Sequence, residues 1–104
     1  ELHVRRLTSG DEATAAGLLA LMAEALGDLG RPLAREYVGE LLSRPDTWIV
    51  AAFDGPDAVG GLTAHALPMT RSQQTELLVY DVAVSTRYRR CGVGRALVRY
   101  LVER

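Results

Sequence analysis

Apolar and polar positions alternate at the start of the chain, where Leu2 and Val4 mark a short strand before Thr8. Ser9-Gly10-Asp11-Glu12 reads as a capping box that opens a helix, and Ala15, Leu18, Leu19, Met22 and Leu26 then fall on one helical face. Gly27 and Gly30 end that helix, because glycine takes the left-handed cap at little cost. Pro32 starts a second helix through Leu42, stopped by Ser43-Arg44-Pro45. Residues 47–53 predict a strand, Asp54-Gly55-Pro56-Asp57 supplies turn chemistry, and residues 58–67 return antiparallel, with Gly60-Gly61 pointing to a bulge. A polar loop over 68–75 leads into Glu-Leu-Leu-Val-Tyr-Asp-Val-Ala-Val at 76–84, which is apolar on both faces and so expected to be central. After a loop over 85–91, a last helix begins near Gly92. It turns Ala96, Leu97, Tyr100 and Leu101 inward and keeps Arg95, Arg99 and Arg104 at its edges.

The order strand, helix, helix, three strands, helix is an α+β pattern without repeat, linker or low-complexity segment, and it predicts a single domain over residues 1–104. The far edge of strand 76–84 is left uncovered, and apolar edges are normally paired or protected. The expectation is therefore a domain truncated at its C-terminal side, or an edge filled by a second copy in a homodimer.

Composition narrows the function. With 48% apolar and 24% charged residues in 104, the chain can build a modest core and is not disordered. A net charge of -1 argues against a general nucleic-acid binder, but the charge is unevenly spread: residues 11–57 hold nine acids and three arginines, whereas residues 85–104 hold six arginines and one glutamate. All 12 basic residues are arginine, which excludes the lysine of a P-loop, the kinase strand lysine and Schiff-base chemistry. Cys91 has no cysteine to pair with, and together with His3 and His65 it makes no zinc-type cluster, so no metal is expected. No apolar run approaches a membrane span and the N-terminus lacks a signal pattern. The expectation is a cytoplasmic protein without membrane contact.

The basic end has a chemical shape. Arg89-Arg90-Cys91-Gly92-Val93-Gly94-Arg95-Ala96 lies between an apolar strand and a helix, where free backbone N–H groups and the helix dipole converge on an anion. Glycine at 92 and 94 lets a diphosphate approach the main chain, and Arg89, Arg90 and Arg95 can add charge-assisted hydrogen bonds. The bland alternative is two glycines shaping a turn beside solvated arginines. A dinucleotide fingerprint is rejected, because Leu97 stands at the third glycine position and no strand follows.

Strand, then Arg89-x-x-Gly92-x-Gly94, then helix resembles the acetyl-CoA signature of the GNAT N-acetyltransferases, and the element order agrees with that acyl-CoA N-acyltransferase fold. From Ala51 to Leu101, Val59-Gly60-Gly61, Ala66-Leu67-Pro68, Glu76, Tyr80-Asp81-Val82-Ala83-Val84 and Arg89-Arg90 resemble type I aminoglycoside 3-N-acetyltransferases, enzymes of antibiotic resistance. The resemblance implies acetyl-CoA as acetyl donor. The loop from Arg89 through Cys91, Gly92, Val93 and Gly94 to Arg95 would hold the pyrophosphate, while Val82, Ala83 and Val84 would offer backbone groups to the pantetheine arm and thioester oxygen. It also implies that the C-terminal strands, a further helix and the tyrosine that protonates the thiolate lie outside this sequence.

Acetyl transfer needs a neutral amine, a stabilised oxyanion and a proton for the leaving sulfur. Asp81 is the first choice of base, the alternative being an aspartate that fixes a loop amide or an arginine. Strict alternation would put Glu76 and Tyr80 on one face and Asp81 on the other, so a bulge near Tyr80 is inferred to bring the two acids together. Glu76 is then a second carboxylate for substrate cation or water, or else a solvated strand-end charge. Tyr80 is a wall of the acceptor pocket, or else ordinary packing. His65 and Cys91 are assigned structural roles. The acidic stretch favours a cationic small-molecule acceptor, for which aminoglycosides and polyamines both qualify, and the resemblance implies an aminoglycoside. Polyamine or protein N-terminal acetylation, and a non-catalytic acyl-CoA binding module, are the alternatives.

Overall fold

A computed structural model describes residues 1–28 and 30–103 of the chain. The alternating N-terminal segment forms strand β1 (Leu2–Arg6), followed by helices α1 (Glu12–Ala25) and α2 (Arg35–Ser43). Strands β2 (Thr47–Asp54), β3 (Asp57–Pro68) and β4 (Thr75–Val84) come next, then a single 3-10 turn (Thr86–Tyr88) and helix α3 (Val93–Val102). The four strands make one antiparallel sheet in the order β1-β2-β3-β4.

Two apolar layers sandwich this sheet. Leu18 and Met22 of α1 and Val38 and Leu42 of α2 pack with Ile49, Ala51, Phe53 and Ala83 on one face. Val93, Leu97 and Leu101 of α3 pack with Val50, Ala52, Leu62 and Ala64 on the other. The alternating residues of β2 and β3 thus feed both layers, which is why residues 49–53 are buried without a break. The glycine pair of β3 sets the approach of both helices. A Cβ on Gly60 would stand 2.8 Å from Val93 Cγ1, and one on Gly61 would stand 2.7 Å from Leu18 Cδ1 and from Met22 Sδ. Arg6 ties the ends together: its N–H donates to Tyr100 Oη on α3 (3.2 Å), and its guanidinium lies 3.7 Å from the Trp48 ring centre while donating to the carbonyls of Pro45 and Thr47.

Several sequence expectations are corrected. Residues 9–12 form no forward capping box. Asp11 occupies the cap position, but its carboxylate accepts from Thr8 N–H behind it and from Arg5, and Glu12 accepts from Gly10 N–H. Helix α2 starts at Arg35 rather than Pro32, because Ala34 is still extended and its carbonyl takes the first helical bond, from Val38 N–H. Leu26, expected inward, lies just beyond α1 and is 50% exposed. The β2–β3 irregularity falls at Val59, one residue before the glycine pair, since Ala52 faces Gly60 and Phe53 faces Ala58. Strand β4 is an edge strand rather than a central one: β3 covers one side, and among the described residues nothing pairs with the other. Its apolar faces are correspondingly open, with Leu78 53% and Tyr80 71% exposed. Arg104, expected at the edge of α3, lies outside the described residues.

Candidate active site

The loop between β4 and α3 has the backbone of an anion cradle. Arg90 and Gly92 both have positive φ (66° and 81°) with Cys91 between them, and Gly92 caps α3 in the left-handed conformation. Such alternation turns consecutive N–H groups to one side. Among the described residues, the amides of Arg90, Gly92, Val93, Gly94 and Arg95 donate to no acceptor, and the first helical bond at this end is Ala96 N–H to Gly92 O at 3.0 Å. Val84, Tyr88, Arg89, Arg90, Gly92, Val93, Gly94 and Arg95 line a cavity of about 480 Å³ in front of them. Arg89, Arg90 and Arg95 are exposed and form no ion pair with a described residue. Cys91 is exposed and does not line the cavity; its thiol lies 3.7 Å from Arg89 O.

Strand β4 carries the carboxylates. Thr63 of β3 faces Asp81 and Ala64 faces Val79, which leaves Tyr80 as the extra residue of a bulge. The shift resets the side-chain phase. Leu77 and Val82 pack on the α3 face, so Glu76 and Leu78 before the bulge, and Asp81 and Ala83 after it, share the α1 face. Tyr80 packs edge-on against His65, ring centres 6.1 Å apart.

Asp81 is half-buried and lines a cleft of about 630 Å³ between the sheet and the α1–α2 connection, with Thr63, Leu19, Glu24, Asp28, Arg31 and Leu33 among its walls. Its carboxylate makes no hydrogen bond or ion pair with a described residue and is not sealed from solvent. Among the described residues it therefore fixes no loop amide and no arginine. Glu76 is exposed at the far end of the strand, and neither it nor Tyr80 lines this cleft. Three residue steps, ~10 Å of extended strand, lead from Asp81 in the cleft to Val84 in the anion cavity. Of the strand residues between, Val82 lies on the α3 face and Ala83 is buried against α1. As an edge strand, β4 keeps alternate N–H and C=O groups free on its outer side.

Tyr88 and Asp54 were not singled out from the sequence. The Tyr88 O–H donates to Asp54 Oδ2 at 2.6 Å, and that bond raises the phenol pKa above its ordinary 10.0. Nothing local marks this pair, because 34 residues separate its members.

Residues 17–104 match the acetyltransferase (GNAT) family. The chain belongs to that family. Enzymes of this family generally use acetyl-CoA and act on amine acceptors, and the chain is an N-acetyltransferase by this membership. No curated protein matches the sequence. Among solved structures, an aminoglycoside acetyltransferase from an uncultured soil metagenomic sample is 32% identical, with a TM-score of 0.92 over 99% of this chain and 70% of that one. A second aminoglycoside acetyltransferase of soil metagenomic origin, solved in complex with sisomicin, is 25% identical, with a TM-score of 0.93 over 98% of this chain and 68% of that one. The ribosomal-protein-alanine N-acetyltransferase of Brucella melitensis biovar Abortus 2308, 24% identical at a TM-score of 0.80 over 99% of this chain and 70% of that one, shares the fold. No helix among the described residues is long and apolar enough to cross a membrane, and among them no three or more His, Cys, Asp or Glu side chains converge as a metal site would require.

Proposed function

We propose that this GNAT protein transfers the acetyl group of acetyl-CoA to an amine of a cationic small molecule, with 3-N-acetylation of an aminoglycoside as the leading reaction. The carrying observation is the row of amides at the head of α3 that meet no acceptor among the described residues, facing a cavity rimmed by three arginines that form no ion pair with them. That cradle fits a diphosphate, which needs many donors, dense positive charge and bare main chain. Bound acetyl-CoA supplies the acetyl group as a thioester. Arg89, Arg90 and Arg95 with the amides of Gly92, Val93 and Gly94 hold the phosphate oxygens, while the outer edge of Val82, Ala83 and Val84 offers hydrogen bonds to the amide-bearing arm. Asp81 takes the proton from the acceptor's ammonium, since its carboxylate is solvent-reachable in the cleft and has no partner among the described residues. Glu76 serves as a second carboxylate on the same face, and Tyr80 as a wall beside it.

The acceptor class follows from charge. Glu24, Asp28 and Asp81 line the cleft against one arginine, Arg31, which favours a cation. The resemblance to two aminoglycoside acetyltransferases supports an aminoglycoside. The apolar wall of Leu19, Leu26 and Leu33 favours a second reading, an aliphatic polyamine. Residues 1–104, which span 70% of the length of the first aminoglycoside acetyltransferase, are proposed as a single acetyltransferase domain of a cytoplasmic enzyme. The open β4 edge supports pairing with a second copy as the alternative cover. The test is thiol release from acetyl-CoA with a panel of amines. Release with gentamicin-like acceptors supports the leading reading and release confined to spermidine supports the second. No release with any amine, alongside measurable CoA binding, would leave a binding module.

A further inference from the structure

We propose that Tyr88 and Asp54 are positioning residues for the diphosphate site: their hydrogen bond is the strut that holds the loop before α3 in its anion-binding shape. This rests on the reading of that loop as the acetyl-CoA cradle. Asp54 is a rigid anchor, because it ends β2 and is in register with Leu2 of β1 on one side and Asp57 of β3 on the other. From that anchor its carboxylate accepts the Tyr88 O–H at 2.6 Å, a length typical of a charge-assisted bond. Tyr88 is also built into the loop backbone. Its N–H donates to Ser85 O (2.9 Å), its carbonyl accepts Cys91 N–H (3.3 Å), and its side chain lines the anion cavity.

The Tyr88 ring packs against the apolar layer under α3, a contact that Tyr88→Phe would keep, but few hydrogen bonds tie the loop to the rest of the fold. Ser85 N–H donates to Val59 O at 2.8 Å just before the 3-10 turn. From there to the head of α3, the hydrogen bonds of residues 86–92 among the described residues stay within residues 85–92 or join them to α3, with the phenol bond the sole hydrogen bond to another element. Yet this segment must keep Arg90 at a positive φ, a conformation that non-glycine residues hold only when their surroundings enforce it. Without the phenol bond, the cradle amides would sample orientations that do not converge, and binding would have to order them. The acceptor cleft lies on the α1 face of the sheet, and neither Tyr88 nor Asp54 lines it.

The test is steady-state kinetics with acetyl-CoA and the best amine, supported by thermal melting. Tyr88→Phe keeps the ring and removes the donor. It is expected to raise the KM for acetyl-CoA about tenfold, with kcat at saturation within about twofold and the acceptor KM unchanged. Asp54→Ala is expected to match it, Asp54→Asn to recover most of the affinity through its amide oxygen, and the Tyr88→Phe/Asp54→Ala double variant to cost no more than either single change. An unchanged acetyl-CoA KM in Tyr88→Phe, or additive losses in the double variant, would overturn the strut while leaving the cradle standing. Failure of the unaltered protein to bind acetyl-CoA would instead overturn the cradle itself.

Discussion

Gly92 and Gly94 serve the same cradle for different reasons. A Cβ on Gly92 would meet nothing within 4 Å, but its φ of 81° disfavours any side chain, whereas a Cβ on Gly94 would stand 4.0 Å from Val82 Cγ1 on ordinary helical backbone. Gly94→Ala should therefore fold as well as the unaltered chain, with melting unchanged or raised by up to ~1 kcal/mol of helix propensity. Its CoA affinity, read by calorimetry, should nonetheless fall about tenfold or more as the methyl occupies the phosphate approach; unchanged affinity would count against close main-chain contact. Asp81→Asn makes the complementary separation. It should lower kcat by about two to four orders of magnitude while leaving CoA binding intact, and full turnover in this variant would remove Asp81 as the base. The glycine and arginine pattern was legible because its chemistry is local. The Tyr88–Asp54 bond was not, because no local signal joins a turn residue to a tyrosine so distant in sequence.

At the level of elements, the bulge in β4 was legible as a contradiction: two carboxylates needed on one face sat at positions of opposite parity, and Tyr80 is the residue that resolves it. The glycine pair of β3 was read as a bulge, but its burial reflects two helices pressed onto opposite faces of one strand, which only the assembled layers reveal. Gly60→Ala would bring its methyl against Val93 Cγ1 (2.8 Å) and Ala83 O (3.2 Å), so α3 must shift. A stability loss of about 1–3 kcal/mol in denaturant unfolding is expected, with weakened CoA binding because Val93 begins α3; a neutral effect on both would refute this coupling. The Arg5–Asp11 pair joins β1 to the start of α1. Arg5's hydrogen bond to the carboxyl, aided by Thr8 N–H, holds the Asp11 pKa below its ordinary 3.8. A lowered native pKa gives stability that is present above the unfolded pKa and lost as pH falls through the native one. The stability gap between the unaltered protein and Asp11→Asn should thus be constant above about pH 5 and close progressively below about pH 4. A gap that does not narrow as the pH falls below about 4 would contradict this assignment.

For the whole molecule, the order of elements and the α+β class were legible because turn residues and periodicity switch cleanly between segments. The place of β4 was not: a strand apolar on both faces reads alike at the centre of a sheet or at an edge awaiting cover. The charge distribution was legible and has a spatial meaning, with the arginine-rich end forming the anion cradle and the acidic middle contributing Glu24 and Asp28 to the acceptor cleft on the other side of β4. The two proposed sites therefore meet along one strand, the proposed phosphate site at its C-terminal end and the proposed acceptor site at Asp81. The most direct measurement of that arrangement is an amide-resolved NMR titration of the 15N-labelled protein with CoA. The largest and earliest shifts are expected at the amides of Arg90, Gly92, Val93, Gly94 and Arg95, with smaller ones along Val82 to Val84. Saturable CoA binding that leaves those five amides unmoved would contradict the placement of the diphosphate at the head of α3.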